Sequence, residues 1–348
     1  MTFRRPRDAP GAALRPVPKH QGVLRAGVAV LAVTALIGGV SWSTTARSGA
    51  AHVASPSATI KAVVPVPPPT PTPTPTPSPT PTPTPKPVFS KSARKDLTRR
   101  VGSYLKGRSG QLSVQIQDLS TGLSYGYNAD MRHATASIVK VDILVTLLLR
   151  AQREKRGLSR DERALATRMI TESDNNAADA LWYRVGGSYG VAAANKKLKL
   201  RHTTVGPAGY WGATLTDVAD QIRLLKSLTS KKSPLTAKNR RYALGLMGDV
   251  VSSQDWGVSA AAGRKDTTAL KNGWLPRKID GDLWTINSIG RVQGDDHDYL
   301  IAVLSSRTRS MGDGIATVEH VAEMVRKALS KAISTSTTST TSSTPKNA

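Results

Sequence analysis

A run of alternating proline and threonine divides this chain into parts. From Pro65 to Pro87 nearly every second residue is proline, which fixes φ and removes the backbone donor that helices and sheets require. Such a segment stays extended as polyproline II, and at about 3.1 Å per residue it reaches roughly 70 Å. We therefore expect residues 47–89 to form a semi-rigid Pro/Thr-rich linker outside any folded domain.

The residues before the linker have the composition of an export signal. Residues 1–26 carry six Lys and Arg against one Asp, and residues 27–42 carry no charge. A basic flank followed by an apolar run is typical of a signal peptide or of a signal anchor whose N-terminus stays inside. We interpret residues 1–26 as a basic cytoplasmic segment and 27–46 as a signal anchor or signal peptide. A membrane-anchored protein with an extracellular domain, or a secreted one, is expected.

The remaining chain is long enough for one large domain. We assign residues 90–330 to this domain and 331–348 to a disordered Ser/Thr tail with too little apolar content to pack. The whole chain has a net charge of +25, which favours polyanionic partners. Aromatic residues make up only 5%, and no zinc-finger or helix-turn-helix signature occurs, so we expect anionic wall polymers or lipid head groups rather than nucleic acid.

The absence of cysteine narrows the chemistry further. The sequence contains no Cys, which excludes disulfides, Cys-based zinc sites, thiol nucleophiles and acylation of the lipoprotein type. The six histidines show no spacing typical of metal ligands. We therefore expect neither a metal nor another cofactor.

Apolar periodicity predicts an α+β domain. Leu112–Leu119 and Leu123–Tyr127 alternate apolar and polar residues, as a half-buried hairpin does, and residues 138–149 are nearly all apolar, as in a central buried helix. Two strands, a block of helices, three strands and a helix indicate an antiparallel sheet built from both ends of the chain. Further helices are expected at 161–170, 176–184, 189–198, 214–228, 235–248 and near 313–329, and further strands at Thr267–Lys271, Leu283–Val292 and Tyr299–Ser305.

A Ser-x-x-Lys motif opens the apolar helix. The tetrad also occurs at Ser92, Ser103 and Ser343, but only Ser137-Ile-Val-Lys140 begins a buried helix. A three-residue spacing places both side chains on one helix face, and burial lowers a lysine pKa, so Lys140 could accept the Ser137 proton. The alternative is an ordinary N-cap serine with a lysine that reaches solvent.

Two further polar tripeptides follow in the chain. Ser173-Asp174-Asn175 lies between two predicted helices, where it would ordinarily serve as a helix cap. Lys271-Asn272-Gly273 follows a predicted strand and would ordinarily be a hairpin tip. In this order and on these elements, the three motifs are unlikely to coincide by chance.

The set S-x-x-K, S-D-N and K-x-G resembles that of penicillin-recognising serine hydrolases, and most closely that of class A β-lactamases. The resemblance implies a β-lactamase/transpeptidase-like fold, in which an antiparallel sheet is flanked by helices and accompanied by an all-helical subdomain, and it implies a monomer. It makes Ser137 the acylated nucleophile, Lys140 its proton acceptor and Ser173 a proton relay. Substrate contacts would come from Asn175, Lys271, Asn272, Gly273 and Trp274, with the amides of Ser137 and Trp274 as the oxyanion hole.

The sequence departs from the family pattern in two places. Asn272 replaces the usual Thr or Ser, so a bulkier amide would meet the substrate carboxylate. No glutamate lies between Ser173 and Lys271, and the stretch Thr203–Trp211, where the family carries the glutamate that activates water, has no carboxylate. Turnover of an acyl-enzyme is therefore expected to be slow.

Three functions remain open at this point. The first is a hydrolase of β-lactams or of D-Ala-D-Ala-type peptidoglycan stems. The second is a penicillin-binding protein or wall peptidase with negligible turnover. The third is a non-catalytic wall-binding module, which retention of Ser137, Lys140, Ser173 and Lys271 disfavours.

Overall fold

A computed structural model describes residues 87–207 and 209–341. The predicted basic segment, the signal anchor and nearly all of the linker lie outside these residues. Within them, no helix combines the length and the apolar composition needed to cross a membrane.

Strands from both ends of the domain form one antiparallel sheet, as predicted. The chain begins with helix α1 (Lys91–Leu105), followed by β1 (Gln111–Asp118) and β2 (Ser124–Tyr127), and it ends with β5 (Thr267–Arg277), β6 (Leu283–Gln293), β7 (Asp298–Ser306) and helix α8 (Met311–Thr341). The strand order is β2-β1-β7-β6-β5, so that β7 pairs with both β1 and β6.

The middle of the chain folds into helices, which confirms the predicted helical block. Its elements are the short strand β3 (His133–Ala134), a 3₁₀ turn at Ala136–Ile138, α2 (Val139–Arg153), α3 (Arg160–Thr171), α4 (Asn175–Arg184), α5 (Gly187–Leu198), β4 (Leu215–Thr216), α6 (Val218–Thr229) and α7 (Ala237–Gly248). The helix expected from residue 214 begins at Val218, because residues 215–216 pair with β3 and Asp217 caps α6 by accepting from the Asp220 amide.

The sheet lies between two apolar cores. Alternate residues of a strand point to opposite faces, and on β7 Leu300, Ala302 and Leu304 pack in the core that also holds the buried residues of α2–α7. Ile301 and Val303 pack instead with buried residues of α1 and α8. Burial on both faces explains why β7 reads as a continuous apolar run.

Two helices differ from expectation. Helix α1 is not predicted by the sequence pattern, since only Leu97 and Val101 of its fifteen residues are buried. Helix α8 continues to Thr341, beyond the domain end placed at residue 330 and into the segment expected to be a disordered tail. Ala332 and Ile333 pack against the core, so apolar contacts extend past the predicted boundary.

Candidate active site

The turn that carries Ser137 is held by hydrogen bonds from a side chain of the sheet to the backbone just before the turn. Buried Asn287 on β6 donates through its amide to the carbonyls of Ala134 (2.8 Å) and Thr135 (3.0 Å), while its oxygen accepts from the Ser305 amide at 3.0 Å. The side chain therefore ties the residues before the nucleophile to the centre of the sheet. Sequence patterns do not indicate Asn287, because its partners lie about 150 residues away.

The backbone around Ser137 is unusual in two respects. Ala136 has a φ of 48°, a left-handed conformation that costs energy in an alanine and is typical of functional sites. A Cβ on Gly273 would lie 2.8 Å from the Ser137 nitrogen, so only glycine lets strand β5 pass this close. The Lys271-Asn272-Gly273 motif thus lies inside β5, beside the Ser137 turn, and not at a hairpin tip.

Lys140 is the best-connected side chain of the site. It is fully buried, and its Nζ donates to the Ser173 carbonyl (2.6 Å), the Ser173 hydroxyl (3.1 Å) and the Asn175 side-chain oxygen (2.7 Å). Burial lowers the pKa of Lys140 to about 8, although the carboxylates of Asp174 and Asp179 oppose this shift. An amine with such a pKa can exchange a proton near neutral pH.

The second motif is shaped to meet Lys140. Ser173 has a φ of 58°, which turns both its carbonyl and its hydroxyl toward the amine. Asp174 caps α4 by accepting from the Ala177 amide at 3.0 Å, so the capping role holds for this residue. Asn175 then begins α4, and the structure brings Lys140, Ser173 and Asn175 together as the sequence suggested.

The Lys271 and Asn272 side chains of the third motif are buried, although the sequence suggested that they contact the substrate. Lys271 is fully buried, and its Nζ donates to the Asn272 carbonyl (3.1 Å) and to the Gln254 side chain (3.3 Å). Burial and the nearby charge of Lys140 lower the pKa of Lys271 well below its usual value. The Asn272 amide donates to the carbonyls of Gln254 (2.8 Å) and Trp256 (3.0 Å). Both N–H groups of the Asn272 side chain are therefore already bonded to protein carbonyls, and neither is available to a substrate carboxylate.

Ser137 opens into a cleft of about 390 Å³. Trp274 lines this cleft and packs edge-on against Trp256, with ring centroids 5.8 Å apart. Trp211 also lines the cleft. It ends the stretch Thr203–Trp211, which lacks the carboxylate that the family pattern would place there, and its ring centroid is 4.9 Å from Lys140 Nζ. Aromatic walls around a few convergent polar groups are typical of small-molecule sites.

Two charged residues of the cleft were missed by sequence reasoning. Asp179 is exposed, lines the cleft and accepts from the Trp211 indole nitrogen at 2.7 Å. Its only sequence signal is its position one helical turn after Asn175, which puts both on one face of α4. Arg277, at the end of β5, also lines the cleft and pairs with Asp280 at 3.1 Å. Arg277 gives no sequence signal, because it belongs to none of the three motifs.

Possible metal ligands do not cluster in the described part of the chain. Among residues 87–207 and 209–341, no group of three or more His, Asp or Glu side chains is placed to hold a metal ion. The arrangement instead combines a hydroxyl, a buried amine of lowered pKa and a second hydroxyl, which are the parts required for acyl transfer through a serine.

Comparison with known proteins identifies the same fold. The β-lactamase enzyme family matches residues 94–164 and 157–333. A protein named "Putative lipoprotein LppW" from Mycobacterium tuberculosis and from Mycobacterium bovis is 26% identical over 215 residues, which cover 60% of this chain and 67% of the relative.

Solved class A β-lactamases share the architecture at low sequence identity. The TLA-1 extended-spectrum β-lactamase has a TM-score of 0.62 and 16% identity, covering 68% of this chain and 99% of that one. A class A representative from Bacteroides cellulosilyticus has a TM-score of 0.61 and 16% identity, covering 70% of this chain and 100% of that one. With its family match spanning nearly the whole described domain, the chain belongs to the β-lactamase enzyme family.

Proposed function

We propose that this protein is an exported serine hydrolase that forms an acyl-enzyme on Ser137 with β-lactams or D-Ala-D-Ala-type peptidoglycan stems. The observation that carries the proposal is the buried Lys140 amine, hydrogen-bonded to Ser173 and Asn175 beside the Ser137 turn. The export signal lies in the N-terminal segment outside the described residues. The intact first two motifs disfavour a module that only binds the wall.

The acylation step uses these residues in a fixed order. The Ser137 oxygen attacks the substrate carbonyl carbon while its proton passes to neutral Lys140. The amides of Ser137 and Trp274 would stabilise the oxygen that becomes negative. When the C–N bond breaks, Ser173 passes a proton from Lys140 to the leaving nitrogen, and Asn175 contacts the substrate amide.

Arg277 is our candidate for the group that receives the substrate carboxylate. The family pattern gives this role to the K-x-G motif, but Lys271 is buried and the Asn272 donors are engaged. Arg277 lines the cleft as a charged donor, and a guanidinium suits a carboxylate because it can form two parallel hydrogen bonds. Lys271 would then act from behind the Ser137 turn and not as a direct partner of the carboxylate.

Hydrolysis of the acyl-enzyme is expected to be slow, which favours the penicillin-binding alternative over an efficient β-lactamase. The stretch Thr203–Trp211 supplies no carboxylate. Asp179 offers one from α4, but it is exposed to water and already accepts from Trp211. We assign the residual activation of water to Asp179.

Covalent labelling tests the proposal directly. Fluorescent penicillin should label the wild-type chain, and Ser137→Ala should abolish the label. Ser103→Ala is the matched control, since Ser103 also begins a Ser-x-x-Lys tetrad but lies in helix α1, and it should label normally. Labelling of Ser137→Ala at the wild-type level would overturn the assignment of the nucleophile.

A further inference from the structure

Six cations line a groove on the helical block, away from the catalytic cleft. The groove has a volume of about 360 Å³ and lies between the end of α5, the second half of α6 and the loop that follows α6. None of its lining residues also lines the cleft that contains Ser137. The six cations are Lys197, Lys199, Arg201, Arg223, Lys226 and Lys232.

Carboxylates neutralise little of this charge. Arg223 pairs with Asp220 at 2.5 Å, and Asp220 is fully buried beneath it. For the other five cations the described part of the chain provides no ion pair. Several like charges around one concavity repel one another and create a positive potential that attracts anions.

The groove stands on a rigid support. Leu198 of α5 and Leu225 of α6 are buried in the helical core. The Ser233 hydroxyl donates to the Ser227 carbonyl at 2.5 Å, and the Lys232 amide donates to the Ser230 hydroxyl at 3.1 Å. These bonds hold the loop with Lys232 against α6, so the spacing of the charges is built into the fold and needs no ligand to form.

The chemistry of the lining selects among polyanions. No aromatic residue lines the groove, whereas single-stranded nucleic acids are usually held by stacking of bases on aromatic side chains. Four of the six cations are lysines. A lysine ammonium group binds phosphate as a compact point charge, without the paired hydrogen bonds that an arginine guanidinium forms. The lining therefore fits a chain of phosphodiesters without bases better than it fits DNA or RNA.

We propose that this groove binds an anionic phosphodiester polymer of the kind formed by linked polyol phosphates. Bound this way, the polymer would occupy a site of its own and leave the Ser137 cleft open. The inference does not depend on the proposed hydrolase function, because it rests on residues that the cleft does not share.

Matched charge variants of the full-length chain test the groove. The probe is labelled poly(glycerol phosphate), and its dissociation constant is measured over a salt series. The groove variant is Lys197→Gln/Lys226→Gln/Lys232→Gln. The control, Lys95→Gln/Lys106→Gln/Lys265→Gln, removes the same net charge from exposed lysines elsewhere. The groove variant should bind at least ~10-fold more weakly at low salt, and its log–log salt slope should fall by about one per lysine removed, as for released counterions.

Three results would overturn the proposal. Equal losses in the two variants would mean that only net charge matters. If the wild-type chain does not bind poly(glycerol phosphate), the proposed ligand is wrong. If single-stranded DNA or phosphatidylserine vesicles bind the wild type more tightly than poly(glycerol phosphate) does, and the groove variant loses that binding, the groove serves a different partner. Labelling by penicillin should stay normal in both variants, which separates this test from that of the hydrolase.

Discussion

At the residue scale, the pKa of Lys140 sets how acylation should respond to pH. Burial lowers this pKa to about 8, and only the neutral amine can accept the Ser137 proton. The neutral fraction rises as pH rises toward the pKa, so the acylation rate should increase about tenfold per unit below pH 8 and level off above it. Stopped-flow labelling between pH 6 and 9.5 measures this. A flat profile would contradict the role of Lys140.

Variants of two residues sharpen that measurement. Lys140→Ala should block acylation at every pH. Asp179→Asn removes a negative charge that raises the pKa of Lys140, so its profile should move to lower pH while keeping its shape. An unmoved profile would show that Asp179 does not interact with the amine.

Arg277 gives a residue-scale prediction about substrate binding. Loss of a charge-assisted hydrogen bond costs about 1.5–3 kcal/mol, so Arg277→Gln should raise KM roughly 10- to 100-fold for a substrate with a free carboxylate. Arg307→Gln is the control, because Arg307 pairs with the same Asp280 at 3.0 Å but does not line the cleft. Equal effects of the two variants, or an equal loss with a substrate esterified at its carboxylate, would refute the assignment.

Local spacing reveals some of these residues and hides others. Ser137 and Lys140 lie three positions apart, so helix geometry predicts that their side chains share a face, whereas Ser173 and Asn175 are indicated by the family resemblance. Asp179 and Asn287 meet their partners only through the tertiary fold. Arg277 also reaches the cleft through the fold, although its ion-pair partner Asp280 lies three residues away. The engagement of the Asn272 amide by the carbonyls of Gln254 and Trp256 could not be predicted from a tripeptide motif for the same reason.

At the scale of elements, the site depends on how firmly β6 holds the nucleophile turn. Asn287→Ala would remove the hydrogen bonds of this side chain to the Ala134 and Thr135 carbonyls and to the Ser305 amide. The Thr135 carbonyl still accepts from the Ile138 amide at 3.3 Å, and each group left unsatisfied costs about 1–3 kcal/mol. We expect a lower free energy of unfolding and a larger loss of acylation than that loss of folded protein explains. Denaturant titration and labelling measure the two effects.

Thr285→Val is the matched control on the same strand. Thr285 is buried two residues before Asn287, and its hydroxyl has no hydrogen-bond partner in the described part of the chain. Replacing an unpaired buried hydroxyl by a methyl group of the same shape should be neutral or stabilising. Full acylation by Asn287→Ala would show that the turn does not need this support.

Element boundaries show where sequence patterns are informative. Strands β1, β2, β6 and β7 and most helices were predicted close to their observed bounds, because their burial alternates or recurs with a regular period. Strand β5 was expected to end at Lys271 but continues to Arg277, and the two-residue strands β3 and β4 were not predicted. Helix α1 was missed, since it buries only Leu97 and Val101. The motif Lys271-Asn272-Gly273 reads like a turn, but Gly273 serves the close approach of β5 to the Ser137 turn and leaves the strand unbroken.

At the scale of the whole molecule, we propose a catalytic domain that acts outside the cell. The sequence predicts an N-terminal export signal and a Pro/Thr-rich linker, followed by a basic domain in which residues 90–330 carry a charge of +15. The order of strands and helices was sufficient to predict the α+β class and the antiparallel sheet, because strands from both ends must pair around a central helical block. The groove charges, in contrast, come together only when α5 and α6 pack.

The lifetime of the acyl-enzyme measures both the acylation of Ser137 and the rate at which the acyl group is hydrolysed. Intact-mass spectrometry of the wild-type chain, mixed with penicillin and sampled over time, should show one penicilloyl group per chain. The adduct should be lost about 10²–10⁴-fold more slowly than from an efficient class A β-lactamase, which is the usual contribution of a general base. Asp179→Asn should lengthen its lifetime further. Absence of any adduct, with the drug intact, would contradict acylation at Ser137, and rapid loss that is unchanged in Asp179→Asn would contradict our account of turnover.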